Sequence, residues 1–127
     1  MEMTKIAILT SIMQILMVVE TQGNADAIGD NGTAFGILQI RSICVRDVNR
    51  IYKVNFEHKK MFDVETSKNV FMAYMGHGWA HFVKRHGYDP SEQDLVRMWN
   101  GGIYTGYQRE STEPYYQKYL ELKKQLK

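Results

Sequence analysis

The chain is poor in the residues that cross-link or punctuate a fold: it has one cysteine and two prolines in 127 residues. A single thiol, Cys44, excludes an intramolecular disulfide, so the fold must stand on packing and hydrogen bonding alone. Its setting, "RSICVRDV", reads as a helix face carrying a buried structural thiol. Synthesis in a reducing cytoplasm is compatible with this. There is no large excess of one charge either. The formal net charge is +2 and the basic residues are scattered, apart from Lys123, Lys124 and Lys127, which read as a solvated helix end. That argues against nucleic acid as a partner, which calls for a clustered basic face. No low-complexity tract, Gly/Ser linker or internal repeat interrupts the sequence, so one compact domain over residues 1–127 is expected.

Several chemical signatures are also missing. No G-x-S-x-G elbow, P-loop or dinucleotide fingerprint is found, and Cys44 lacks cysteine-protease surroundings. His77 and His81 stand four apart on a helical pattern, but Gly78 occupies the place of the glutamate in H-E-x-x-H, and no third ligand is apparent. His58 and His86 do not complete the set. These histidines read as surface or partly buried side chains, and neither a metal nor another cofactor is expected.

What is present begins with "MEMTKIAILTSIMQILMVV", one lysine followed by an apolar run. Thr10, Ser11 and Gln14 interrupt it, no small-x-small cleavage site follows, and it falls short of about 20 apolar residues. A core helix is expected from Thr4 to Glu20, buried on most sides through the stripe Ile8, Ile12, Ile15 and Val19, widened by Leu9, Met13 and Leu16, without stable membrane insertion. Gly23 and Asn24 end it. "AIGDNGTAFGILQI" then predicts a small hairpin turning at Asp30-Asn31-Gly32. Further helices are expected at Ser42–Tyr52, with Ile43, Val48, Ile51 and Tyr52 inward; at Val64–Arg85, capped by Asp63 and containing Gly76 and Gly78; from Ser91 to near Trp99; and at Glu113–Leu126, with Pro114 in its first turn. The fold class is mainly α, an α+β arrangement with one small β-hairpin after the first helix.

The apolar run stops on Glu20. A carboxyl at the end of a buried helix, facing a cleft beside a hairpin, is suited to donate a proton to a glycosidic oxygen. A second carboxylate sometimes activates water on the opposite face, and Asp30, with Asp26 behind it, is the nearest one. Asp30 equally suits the turn itself.

Four ordered segments carry a family resemblance. "VVETQGNADAIGDNGTAFGILQI", "FDVETSKNVFMAYM", "VRMWNGG" and "STEPYYQKY" resemble, in order, motifs of the lysozyme-like superfamily, in the group of soluble lytic transglycosylases and goose-type lysozymes. The match spans roughly residues 5 to 120. Thr21 replaces the family's serine, Gly101 its alanine, and Trp99 stands where tyrosine is common; the Trp-Asn-Gly-Gly form is closer to phage-type lysozymes.

The resemblance implies a lysozyme-like fold and cleavage of the β-1,4 bond between N-acetylmuramic acid and N-acetylglucosamine in bacterial peptidoglycan, with chitin-type oligosaccharides also open. It places Glu20 on the catalytic acid, Asn100 on a cleft asparagine and Tyr115 on a cleft tyrosine. Sugar rings and N-acetyl groups need flat aromatic faces and amide hydrogen bonds, which Gln39, Trp99, Tyr104 and Tyr107 also offer. Trp99 equally suits a core, Tyr104 and Tyr107 suit loop packing, and Tyr119 suits packing on the last helix. The biology implied is that of a monomeric endolysin, made in the cytoplasm of a bacterial host without a clear signal peptide and acting on the wall after release.

Overall fold

The computed structural model describes residues 1–126; Lys127, the last of the C-terminal lysines, lies outside them. It is 71% helical, with five α-helices and one small antiparallel sheet among the described residues, the mainly-α class expected. The chain forms two compact units, one of residues 1–15 and 75–127 and the other of residues 16–74.

The first helix, α1, runs Met3–Thr21. Leu9, Ile12, Met13, Leu16 and Val19 are buried along it. All five belong to the expected face, of which Ile8, 39% exposed, and Ile15, half-buried, pack less closely than expected. Burial on most sides is also overturned: Met3, Thr4, Ala7, Ser11 and Gln14 face solvent, and 28% of the helix's apolar window is buried. Apolar residues surround this helix almost completely, and the side that packs is the one on which positions 9, 12, 16 and 19 align. At 19 residues α1 is long and apolar enough to cross a membrane, so length does not exclude that; a core helix or a signal sequence has the same properties.

In the unit of residues 16–74 the predicted hairpin gains a third strand. Strands β1 (Ile28–Gly29), β2 (Ala34–Phe35) and β3 (Ile40–Arg41) pair antiparallel in that order, with Phe35 opposite both Ile28 and Ile40. A 3-10 turn, Asp30–Gly32, makes the first connection and Gly36–Gln39 the second. Helix α2, Ser42–Tyr52, buries Val45 and Val48. Neither Ile43, 59% exposed, nor Tyr52, 45% exposed, faces inward as expected: Ile43 lies on the opposite side of the helix from Val45 and Val48, and Tyr52 shares their side but is the helix's last residue. Tyr52 instead donates from its hydroxyl to the Ala73 carbonyl at 2.8 Å. Asp63 caps the next helix as expected, accepting from the Thr66 amide at 2.9 Å and from the Thr66 hydroxyl at 2.6 Å. These two bonds hold the Asp63 carboxyl below its usual range.

Helix α3, Val64–His86, continues from that unit into the other. There Gly78 permits a close approach: a Cβ on it would stand 2.7 Å from Ile103 Cγ2. Helix α4, Glu92–Gly101, opens with the full Ser91–Asp94 capping box and extends two residues past Trp99. Helix α5, Glu113–Gln125, carries Pro114 in its first turn. Tyr119 is fully buried and donates to Glu92 at 2.7 Å, while Lys123 Nζ lies 2.8 Å from both Glu92 oxygens.

Cys44 and Tyr119 set an alkaline limit on stability. Burial, reinforced by the Asp47 charge, pushes the Cys44 thiol from 9.0 up to about 12. Burial, then the hydrogen bond and charge of Glu92, push the Tyr119 phenol above 10.0. Below the lower ordinary value both groups are neutral folded or unfolded. As pH rises further, the unfolded chain ionises first, and stability is lost until the folded values are passed. We expect the unfolding free energy from urea titrations to fall above about pH 9, and Cys44→Ala to remove a slope of at most about 1.4 kcal/mol per pH unit.

Candidate active site

Glu20 occupies the last turn of α1 and is half-buried. The helix stops there because Gln22 and Gly23 adopt positive φ, 54° and 84°. Their amides return to the Val18 and Met17 carbonyls at 3.0 and 3.1 Å. Thr21, beside Glu20, donates from its hydroxyl to the Met17 carbonyl at 3.2 Å and to the Ile37 carbonyl at 2.9 Å. The second of these bonds joins the helix end to the Gly36–Ile40 segment. The bond requires a hydroxyl, which Thr21 supplies.

The Gly36–Ile40 segment is itself tightly determined. Gly36 sits at φ 83°, and a Cβ there would run into the Met61 carbonyl. Gln39 adopts φ 54° although it has a side chain, a conformation that costs of order 1–2 kcal/mol. Its amide nitrogen offsets this by donating to the Ala27 carbonyl at 3.2 Å and the Gly36 carbonyl at 3.0 Å. Gln39, expected to hydrogen-bond substrate, therefore braces the turn with its side-chain nitrogen. Leu38 and Ile40 on either side are fully buried.

Asp30 is exposed at φ 50° and forms an ion pair with the Arg41 guanidinium, whose Nε donates to Oδ2 at 3.0 Å. Sequence reasoning missed Arg41. The third strand, β3, which brings position 41 beside the turn, was not expected. Asp26 is exposed, and its amide donates to the Asn24 side chain at 3.0 Å in an Asx-type turn.

The remaining sequence-predicted residues belong to the other unit. Asn100 is exposed in the last turn of α4, with Trp99 half-buried before it, and Tyr115 is half-buried in the first turn of α5. Tyr104 is 40% exposed. Tyr107 is buried, with its hydroxyl 2.9 Å from His86 Nε2 and its ring 5.0 Å from that of Phe82, a packing arrangement. Arg97 fixes the segment that carries these tyrosines. Its side chain is 14% exposed, and it donates to the Thr112 hydroxyl at 2.8 Å and the Arg109 carbonyl at 2.6 Å, with Glu113 at 3.7 Å. The sequence gave no sign of that role.

This unit also holds an open groove of about 460 Å³, lined by Ala7, Ile8, Ser11, Ile12, Trp79, Pro90, Glu92 and Leu95. None of the sequence-predicted residues lines it. Among the described residues, no three His, Cys, Asp or Glu side chains converge as for a metal ion. No family model, curated protein or solved structure matches the chain.

The brace at Gln39 is directly testable. Gln39→Ala is expected to lower the unfolding free energy by about 1–3 kcal/mol through the loss of two hydrogen bonds. Gln39→Gly loses the same bonds but relieves the positive φ, and should recover about 1 kcal/mol relative to alanine. Equal losses in urea titration would show that the backbone conformation costs nothing.

Proposed function

We propose that the chain is a peptidoglycan-cleaving muramidase of the lysozyme-like superfamily, with Glu20 as the general acid. The observation that carries the reading is the Thr21–Ile37 hydrogen bond. It joins the segment ending in Glu20 to the Gly-Ile-Leu-Gln-Ile segment, the two stretches on which the family resemblance rests most heavily. Supporting it, Glu20 stands half-buried in the last turn of α1. Glu20 is thereby suited to protonate the glycosidic oxygen as the departing sugar gains oxocarbenium character.

In the hydrolytic version Asp30 directs a water onto the opposite face of the sugar, and the product is inverted. Asn100 and Tyr115 are the substrate contacts that the resemblance supplies, and Trp99 and Tyr104 offer aromatic surface. The polymer is bacterial peptidoglycan, met after the protein is released from the cytoplasm in which it is made.

One observation favours a second reading. The Asp30 carboxylate is engaged by Arg41, so the attacking group can instead be the 6-hydroxyl of the muramic acid. Glu20 then serves as acid and base in turn, and the product carries a 1,6-anhydro end, as in a lytic transglycosylase.

Glu20→Gln is expected to reduce turnover of purified peptidoglycan by about 10²–10⁴-fold while folding and polymer binding persist. An unchanged rate would remove Glu20 from the chemistry, and polymer binding without turnover by the unaltered chain would turn the reading over to a non-catalytic wall-binding or phage structural module. Mass spectrometry of the digest separates the two chemistries. Reducing muramic ends, with a large loss in Asp30→Asn, support hydrolysis; anhydro ends, with Asp30→Asn fully active, support the transglycosylase.

A further inference from the structure

Among the described residues His77 and His81 belong to no cluster of three histidine, cysteine or carboxylate side chains that could hold a metal, yet the fold brings a phenol oxygen to them. The loop after α4 lays Tyr104 against both rings. Its ring meets that of His81 edge-on, with centroids 4.7 Å apart at 76°, and that of His77 at 6.2 Å and 88°. Its hydroxyl stands 3.3 Å from His77 Nε2. Arg85 holds the loop from behind, donating to the Tyr104 carbonyl at 3.5 Å.

We propose that His77, His81 and Tyr104 form a binding site for a zinc-like divalent transition ion, with water in the fourth position. Three observations carry this. Residues four apart on α3 share one helix face, so both imidazoles can reach a single ion. The 3.3 Å between His77 Nε2 and the Tyr104 hydroxyl is long for a hydrogen bond. It equals the edge of a tetrahedron whose bonds are the usual ~2.0–2.1 Å of zinc, about 3.3 Å. His81 Nδ1 is buried and has no hydrogen-bond partner, an unmet cost that a turned, ligating ring removes.

On binding, the ion inserts between His77 Nε2 and the phenol oxygen in place of their hydrogen bond, and a ring nitrogen of His81 completes the three protein donors. Bonds to the two imidazole lone pairs and the phenolate oxygen form, water ligands leave the ion, and the phenol proton passes to solvent. Imidazole and an oxygen anion suit zinc and copper better than calcium or magnesium. The ion would tie the Tyr104 loop to α3.

The test is calorimetric titration of the full chain with zinc chloride at about pH 7.5, alongside His77→Ala, His81→Ala and Tyr104→Phe. One ion per chain is expected. Each histidine variant should weaken binding at least about tenfold, and Tyr104→Phe should weaken it measurably. Cobalt(II) in place of zinc should give the intense visible bands of a tetrahedral site.

Absence of one-to-one binding overturns the proposal, as does wild-type affinity in either histidine variant. Unaltered binding by Tyr104→Phe overturns the three-donor site. Should a variant fail to fold, imidazole NMR of the wild type decides: zinc must shift His77 and His81 and leave His58 and His86 in place, and any other pattern overturns the assignment.

Discussion

The hydroxyl of Thr21 and the carbonyl of Ile37 meet at 2.9 Å, and the arrangement around Glu20 depends on that bond. A helix end leaves its last carbonyls unpaired and the chain beyond it undirected. Here the positive-φ pair Gln22–Gly23 closes the helix on itself, which frees the Thr21 side chain to reach outward. The carbonyl it finds belongs to a turn already fixed by Gly36 against Met61 and by Gln39 across Ala27. One side-chain bond thus transfers the rigidity of a braced turn to the final turn of a helix. Glu20, the residue before that threonine, stands on the turn so fixed.

The other unit applies a different device. Charged side chains at its α4–α5 join are partly withdrawn from water and paired with one another and with polar neighbours. Arg97 spans a hydroxyl, a carbonyl and a carboxylate, and Glu92 receives a phenol and an ammonium. A partly buried charge costs free energy unless satisfied, and removing one partner exposes that cost. Such a network specifies one arrangement of the 102–112 segment more sharply than apolar packing would, since a displaced phenyl ring finds a new contact but a displaced guanidinium leaves several acceptors stranded.

Local signals carried most of the fold. The capping box of α4, the Asp63 cap and Pro114 at the start of α5 are short-range hydrogen-bond chemistry, and sequence alone located them to within a few residues. Burial was less legible. Ile43 is apolar and helical yet exposed, because which side of a helix packs is decided by its neighbours and not by its own composition. In α1 the same ambiguity left Ile8 and Ile15, two members of the expected face, incompletely buried. The site shows a similar division. Glu20 and the Gly36–Ile40 turn could be picked out because they are contiguous motifs, whereas the engagement of Asp30 by Arg41, of Gln39 by Ala27 and of Arg97 by Thr112 depends on residues 11 to 15 positions away, a range that no period of two or 3.6 records.

The contact between Gly36 and residue 61 also bears on how this turn can vary. A clash between two side chains can be relieved from either end, so the two positions can change together. The obstacle at position 36 is a carbonyl of the main chain, which every residue type at position 61 carries alike. No substitution at 61 therefore makes room for a side chain at 36; only a shift of the backbone there would. The tolerance of the turn is set by the path of a distant strand of peptide rather than by its chemistry.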